Sequence, residues 1–306
     1  MKPKTDVRKD GDERGNAFQE IVIPDWPAKP REKGITMVAD WGFGLSRQRD
    51  MIETTGYFVD LAKIVVAISR IIPRPVLAQK IRVYKENQIQ PFPGGQFLEI
   101  AILQRRTKEY YRGALEVGYE AIEVSDNAIS LTFAEKSRVI QQAIDSGLRV
   151  IGEVGKKVAT TDWSELIADI HNTLKAGAWK VFVEAKEIFG EGLNEDLIKQ
   201  LADSVDISKL IFEIPLVSVQ EVHHYQCYQM WMWLLATFGP EVNIANVEYD
   251  DPMKLATLRL GIGPDTTLKE GAFCRSLSGE LGKKGSASFF TGKEKMGQYL
   301  YKGDKK

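Results

Sequence analysis

The chain has 306 residues, 41 Lys and Arg against 42 Asp and Glu, and 43% apolar residues. That is enough apolar material for a sizeable core, and too balanced a charge for a disordered tail or for a basic face that holds nucleic acid. Cys227 and Cys274 lie far apart without metal-ligand spacing, and no run approaches the roughly 18 apolar residues of a membrane span, so a soluble protein of a reducing, cytoplasmic compartment is expected, with neither membrane nor nucleic acid as partner.

Residues 1–33 are polar and carry Pro24, Pro27 and Pro30, which predicts an extended N-terminal segment. From residue 35 short apolar runs follow one another at 35–40, 57–65, 89–93, 120–126, 148–155, 179–185, 209–214 and 242–247, and each is predicted to be a strand. Between them, residues 46–56, 76–88, 97–118, 132–147 and 164–177 repeat apolar positions at helical spacing, and several of these segments end in Gly. One strand, one helix and two loops take roughly 30 residues, which is the interval observed. A doubly wound open sheet has the same local pattern, but eight evenly spaced units favour closure into an α/β fold of the (β/α)8 TIM barrel type, placed at residues 34–265 as a single domain. Residues 217–238 are rich in Tyr, Trp and Met, which suits either a helix under a heavy apolar cap or a subunit interface, and hence a homo-oligomer. Residues 266–306 form a small, polar, basic tail that wraps a neighbour or stays mobile.

In such a barrel the reacting groups sit at the C-terminal ends of the strands. Here those ends carry Asp40, Lys63, Glu123 with Ser125 and Asp126, Glu153 with Lys156 and Lys157, Glu184 with Lys186, Glu213, and Asn243 with Asn246. The third strand delivers Pro93-Gly94-Gly95, with Glu99 a turn later. Each charge taken alone is explained by a structural salt bridge. Together, carboxylates that converge with lysines suit Mg2+, a hard cation that takes oxygen ligands, and leave ammonium groups for a small anionic substrate. The metal candidates are Asp40, Glu99, Glu123, Glu184 and Glu213. Lys63 lies in an apolar stretch, where desolvation suits it to acid-base work unless it is held in a buried ion pair. Gly42-x-Gly44 lacks the third glycine of a dinucleotide fingerprint, and Gly155-Lys156-Lys157 lacks the upstream glycine of a P-loop. His171, His223 and His224 form no ligand or triad pattern.

Taken in order, TMVAD, VDLAK, PFPGGQFLEIA, YEAIEVSD, VIGEVGKK, VEAKE, IFEIP and VNIAN followed by KLATLRLGI resemble the phosphosulfolactate synthase family from about Arg31 to about Gly263. The resemblance implies a (β/α)8 lyase that adds sulfite to phosphoenolpyruvate with Mg2+, a step of coenzyme M synthesis; the family also has a heat-stress-associated plant branch. It further implies a proton donor in Lys156 or Lys157, with Lys63 next and Glu153 among the catalytic residues. Lys186, Gly94, Gly95, Ser125, Ser218 and Asn246 are then the candidates for substrate contact. Three stretches depart from the family pattern. Lys63-Ile64-Val65-Val66-Ala67-Ile68-Ser69 replaces a turn with two glycines and a Thr, Glu184-Ala185-Lys186-Glu187 lacks an Arg, and Pro215-Leu216-Val217-Ser218-Val219-Gln220 lacks a Lys. All three losses fall on anion binding. They raise two alternatives, a relative that adds another nucleophile to an enolisable or unsaturated acid, and a non-catalytic oligomeric stress or scaffold protein.

Overall fold

The computed structural model describes residues 16–263 apart from 22, 25, 156–161, 185–186, 188–194 and 218–221. Lys156, Lys157, Lys186, Ser218 and the tail at 266–306 therefore lie outside the described residues. Eight parallel strands form the centre: β1 Thr36–Asp40, β2 Leu61–Ile64, β3 Gln90–Pro93, β4 Ala121–Val124, β5 Arg149–Val154, β6 Lys180–Glu184, β7 Leu210–Glu213 and β8 Ile244–Val247. The ladder runs β3-β2-β1-β8-β7-β6-β5-β4, and β3 lies beside β4, so the sheet is a nearly closed barrel. The helices between the strands are α1 Leu45–Thr55, α2 Arg74–Glu86, α3 Gly95–Leu103, α4 Thr107–Val117, α5 Phe133–Asp145, α6 Trp163–Lys175, α7 Glu195–Ser204, α8 His224–Phe238 and α9 Pro252–Arg259. The protein is a (β/α)8 TIM barrel. No described helix is long and apolar enough to cross a membrane.

Side chains alternate between the two faces of a strand, and this period of two builds the interior in layers. Met37, Leu61, Phe92, Ala121, Ile151, Phe182, Ile211 and Ala245, one from each strand, fill the barrel with apolar groups. Val38, Ala62, Val154, Val183, Phe212 and Val247 face outward into the helices. Two residues beyond the apolar layer, the same inward parity brings up Lys63, Gly94, Glu123, Glu153, Glu184 and Glu213. The barrel is thus apolar at its waist and charged at its C-terminal mouth.

Three local features add to the sequence expectation or decide between its alternatives. The single helix expected over 97–118 is two, α3 and α4, because Arg105 adopts φ 57° and the end of α3 closes on itself. Arg106 N donates to Ala101 O at 2.8 Å and Arg105 N to Ile102 O at 2.9 Å, the pairing of a left-handed helix cap made here without glycine. The end of the N-terminal segment is docked under the barrel: Arg31 is buried and donates to Asp60 Oδ1 at 2.9 Å, Tyr57 O at 2.7 Å and Pro27 O at 2.6 Å. In α8, Trp231, Trp233, Met230 and Met232 are buried in the core of their own chain, so the aromatic run serves as an apolar cap.

The turn after β2 is strained. Val66 has φ 47°, a left-handed conformation that a β-branched side chain rarely adopts. A Cβ on Gly94 would stand 2.6 Å from Val66 N, so β3 presses against this turn and holds it in place. Val66→Gly is expected to raise stability by about 1 kcal/mol, because the strain relieved exceeds the packing lost from a half-exposed side chain. Thermal unfolding checks it, and a lower melting temperature would show that the turn carries no strain.

Candidate active site

Lys63 stands at the centre of the mouth. Its Nζ lies 4.6 Å from the ring centroid of Phe182 and 6.0 Å from that of Phe92, the two rings that floor the site. It donates to Glu123 Oε1 at 2.8 Å and to Glu213 Oε1. Burial pulls its pKa down, but the carboxylates of Glu123, Glu213 and Glu153 outweigh burial and the net shift is upward. Lys63 is thus held in a buried ion pair, the alternative that its place in an apolar stretch left open, and the pair favours its charged form.

The carboxylates around it divide by their surroundings. Glu123 also accepts from Gly95 N at 2.7 Å on its second oxygen. Burial first, then the charges of Glu153 and Glu213 and a hydrogen bond with Glu153, push the Glu123 carboxyl up to about 8 against the pull of Lys63. Glu123 accordingly holds its proton more tightly than an ordinary carboxyl group. The folded state keeps a proton that the unfolded chain releases above its ordinary value of 4.5. Without added cation, stability is therefore expected to fall as pH rises from about 4.5 to about 8, and Glu123→Gln should flatten that fall. Urea unfolding at pH 5, 6.5 and 8 measures it, and parallel profiles for the two proteins would refute the assignment.

Glu153, Glu184 and Glu213 each place a carboxylate oxygen within 4.8 Å of the others. Such a set of buried oxygens is costly unless a cation neutralises it, and an all-oxygen donor set suits a hard divalent ion. Asp40 and Glu99 do not join this cluster. Asp40 has the outward parity of Val38. Its Oδ1 accepts from Gly42 N at 2.8 Å and Phe43 N at 3.1 Å, and its Oδ2 meets Tyr84 OH at 2.6 Å and Lys80 Nζ at 2.8 Å. Glu99 takes Ser125 Oγ and three consecutive main-chain N–H groups, those of Asn127, Ala128 and Ile129. Both carboxylates are saturated by this chain's own donors and serve to hold loops.

The substrate-contact candidates are similarly divided. Gly94 N donates to Ile64 O and Gly95 N to Glu123, so these amides are already engaged. A Cβ on Gly95 would overlap Ser125 Oγ, and the glycine is there for close approach. Asn246, at φ 57°, breaks the parity of β8 and borders the cavity; its Oδ1 is buried without a hydrogen-bond partner among the described residues. That cavity has a volume of about 60 Å³ and is also bordered by Lys63, Glu123 and Glu153, with Trp41, Val65, Val66 and Leu216 as an apolar wall. Sequence reasoning placed Val65, Val66 and Leu216 in the stretches that depart from the family pattern, but it missed Trp41 and also Asn127, whose Nδ2 donates to Glu153 Oε1 at 2.7 Å. The signal for Asn127 was present, since it continues the inward parity of Glu123 and Ser125.

A TIM barrel whose apolar waist carries buried carboxylates and a cation at the catalytic end belongs to the class of barrel enzymes. The (2R)-phospho-3-sulfolactate synthase (ComA) family profile matches residues 24–265, and the chain belongs to that family. It is 32% identical over 263 residues to the phosphosulfolactate synthase of Methanothermobacter thermautotrophicus, covering 82% of this chain and 97% of that one. The Methanocaldococcus jannaschii phosphosulfolactate synthase is 33% identical over 248 residues, 77% of this chain and 94% of that one. The Bacillus subtilis phosphosulfolactate synthase is 32% identical over 261 residues, 80% and 97% of the two chains. These relatives mark the chain as an enzyme.

Proposed function

We propose that the protein is a lyase that adds sulfite to phosphoenolpyruvate, with Mg2+ held by Glu153, Glu184 and Glu213. The convergence of those three carboxylates beside Lys63 is the observation that carries this reading. Sulfite sulfur bonds to the methylene carbon, the double-bond electrons move onto the acid's carboxylate, and a proton then reaches the neighbouring carbon. Bound Mg2+ supplies electrostatic stabilisation of that carboxylate charge. Lys63 adds a fixed positive charge, and its two glutamate bonds hold it in place before substrate arrives. Lys156 or Lys157 is proposed to deliver the proton, and Asn246 to donate to or accept from the substrate at the mouth.

A second reading keeps the reaction type and changes the acceptor. The apolar wall of Trp41, Val65, Val66 and Leu216 favours an unsaturated acid with an uncharged substituent where phosphoenolpyruvate carries its phosphate. ³¹P NMR of the protein with phosphoenolpyruvate, sulfite and Mg2+ separates the two. A new phosphate-ester signal that needs all three components, and that is lost in Lys156→Ala or Lys157→Ala, supports the first. No new signal from a folded protein that binds the cation supports the second.

A further inference from the structure

We infer that Asn127 is a positioning residue for the Glu153 carboxylate, fixing the orientation in which Glu153 meets the cation; this rests on the cation reading proposed above. The contact itself is a 2.7 Å hydrogen bond from Asn127 Nδ2 to Glu153 Oε1. The loop that carries Asn127 is immobilised from behind by Glu99, a buried residue of α3. Its Oε1 accepts Asn127 N at 3.1 Å, and its Oε2 accepts Ala128 N at 2.6 Å and Ile129 N at 3.1 Å. A carboxylate bound by three successive amides cannot turn, so the loop is set relative to α3 before any ligand arrives.

Glu153 is held at its other end by the same region. Lys136 Nζ donates to the Glu153 carbonyl at 2.7 Å and pairs with Asp126 at 3.0 Å and Asp169 at 2.8 Å. Asp126 thus fixes the backbone of Glu153 through Lys136, while its neighbour Asn127 fixes the carboxylate directly. The terminal torsion of a glutamate is broad, and a carboxylate free to rotate must be ordered when a cation binds. A donor on Oε1 removes that freedom in advance and aims the group toward Glu184 and Glu213. A lysine at this place would hold Glu153 equally well but would repel the cation. A neutral amide orients without adding charge, as outer partners of metal ligands characteristically do.

The test is Mn2+ titration of the full chain by calorimetry, for the parent protein, Asn127→Ala and Asn127→Ser, together with melting temperatures without added cation. Neither side chain reaches Glu153. Both variants are expected to bind Mn2+ about 10-fold or more weakly, with melting temperatures within a few degrees of the parent, because Glu99 still holds the main chain of the loop. Unchanged Mn2+ affinity in a folded variant overturns the inference and leaves the cation site standing. Weakened binding that merely follows a large fall in both variants' melting temperatures also overturns it, since the role is then structural. If the parent takes up no Mn2+, the cation reading fails and this assignment fails with it.

Discussion

Lys63→Met is expected to cost the fold, without added cation, about 3–5 kcal/mol at neutral pH, the range found when one member of a buried ion pair is removed. Among the described residues, the Lys63 ammonium is a cation buried beside Glu123, Glu153 and Glu213, above the rings of Phe92 and Phe182. Without it the carboxylates face one another in low dielectric and hold their protons more tightly, extending the upward shift already present at Glu123. The sign of the pH dependence follows. The folded variant retains protons that the unfolded chain releases above about 4.5, so its stability is greatest in acid and falls as pH rises toward 8 and beyond. Urea unfolding at pH 5 and pH 8 should show a larger difference for Lys63→Met than for the parent protein. A divalent cation should restore more stability to the variant than it adds to the parent, because the neighbouring ammonium no longer repels it. Equal stability of variant and parent at pH 8 would mean that Lys63 does not carry the charge balance of the mouth.

The barrel was legible because its signals are local and repeated. Eight apolar runs at an even interval fix strand number and direction of connection, and Lys63, Glu123, Glu153, Glu184 and Glu213 follow from reading the last residues of each run. The inward or outward face was harder to read, because it depends on register. Ala39 and Asp40 are adjacent, and only the ladder shows that β1 turns its carboxylate to the helices: Ala39 pairs with Lys63, and Asp40 with Ile64. Glu99 resembled a ligand because its partners are amides about 30 residues further along, and backbone donors leave no mark in a sequence. The break at Arg105 was invisible for a related reason, since a left-handed cap built on arginine has neither Gly nor Pro to announce it. The glycines Gly94 and Gly95, candidates for substrate contact, border the cavity, and their lack of a side chain also admits the turn at Val66 and the side chain of Ser125.

Asp40→Asn separates a loop-holding carboxylate from a cation ligand. The pair of Asp40 with Lys80 is fully buried, and the same carboxylate gathers the amides of Gly42 and Phe43 and the hydroxyl of Tyr84, itself bonded to Tyr249 OH at 2.8 Å. Replacing the charge with an amide keeps the shape and one acceptor. It leaves Lys80 with the Phe43 carbonyl at 2.7 Å as its remaining close partner in this network. A loss of about 3 kcal/mol is expected, since an uncompensated buried ammonium outweighs the retained hydrogen bonds. The β1 loop that presents Trp41 to the cavity should loosen as a result, and urea unfolding together with Trp fluorescence reads both effects. Mn2+ affinity measured below the unfolding transition should remain within a few fold of the parent, because Asp40 points away from Glu153, Glu184 and Glu213. Loss of Mn2+ binding from a variant of parental stability would return Asp40 to the ligand set and require β1 to present its end residue to the barrel mouth.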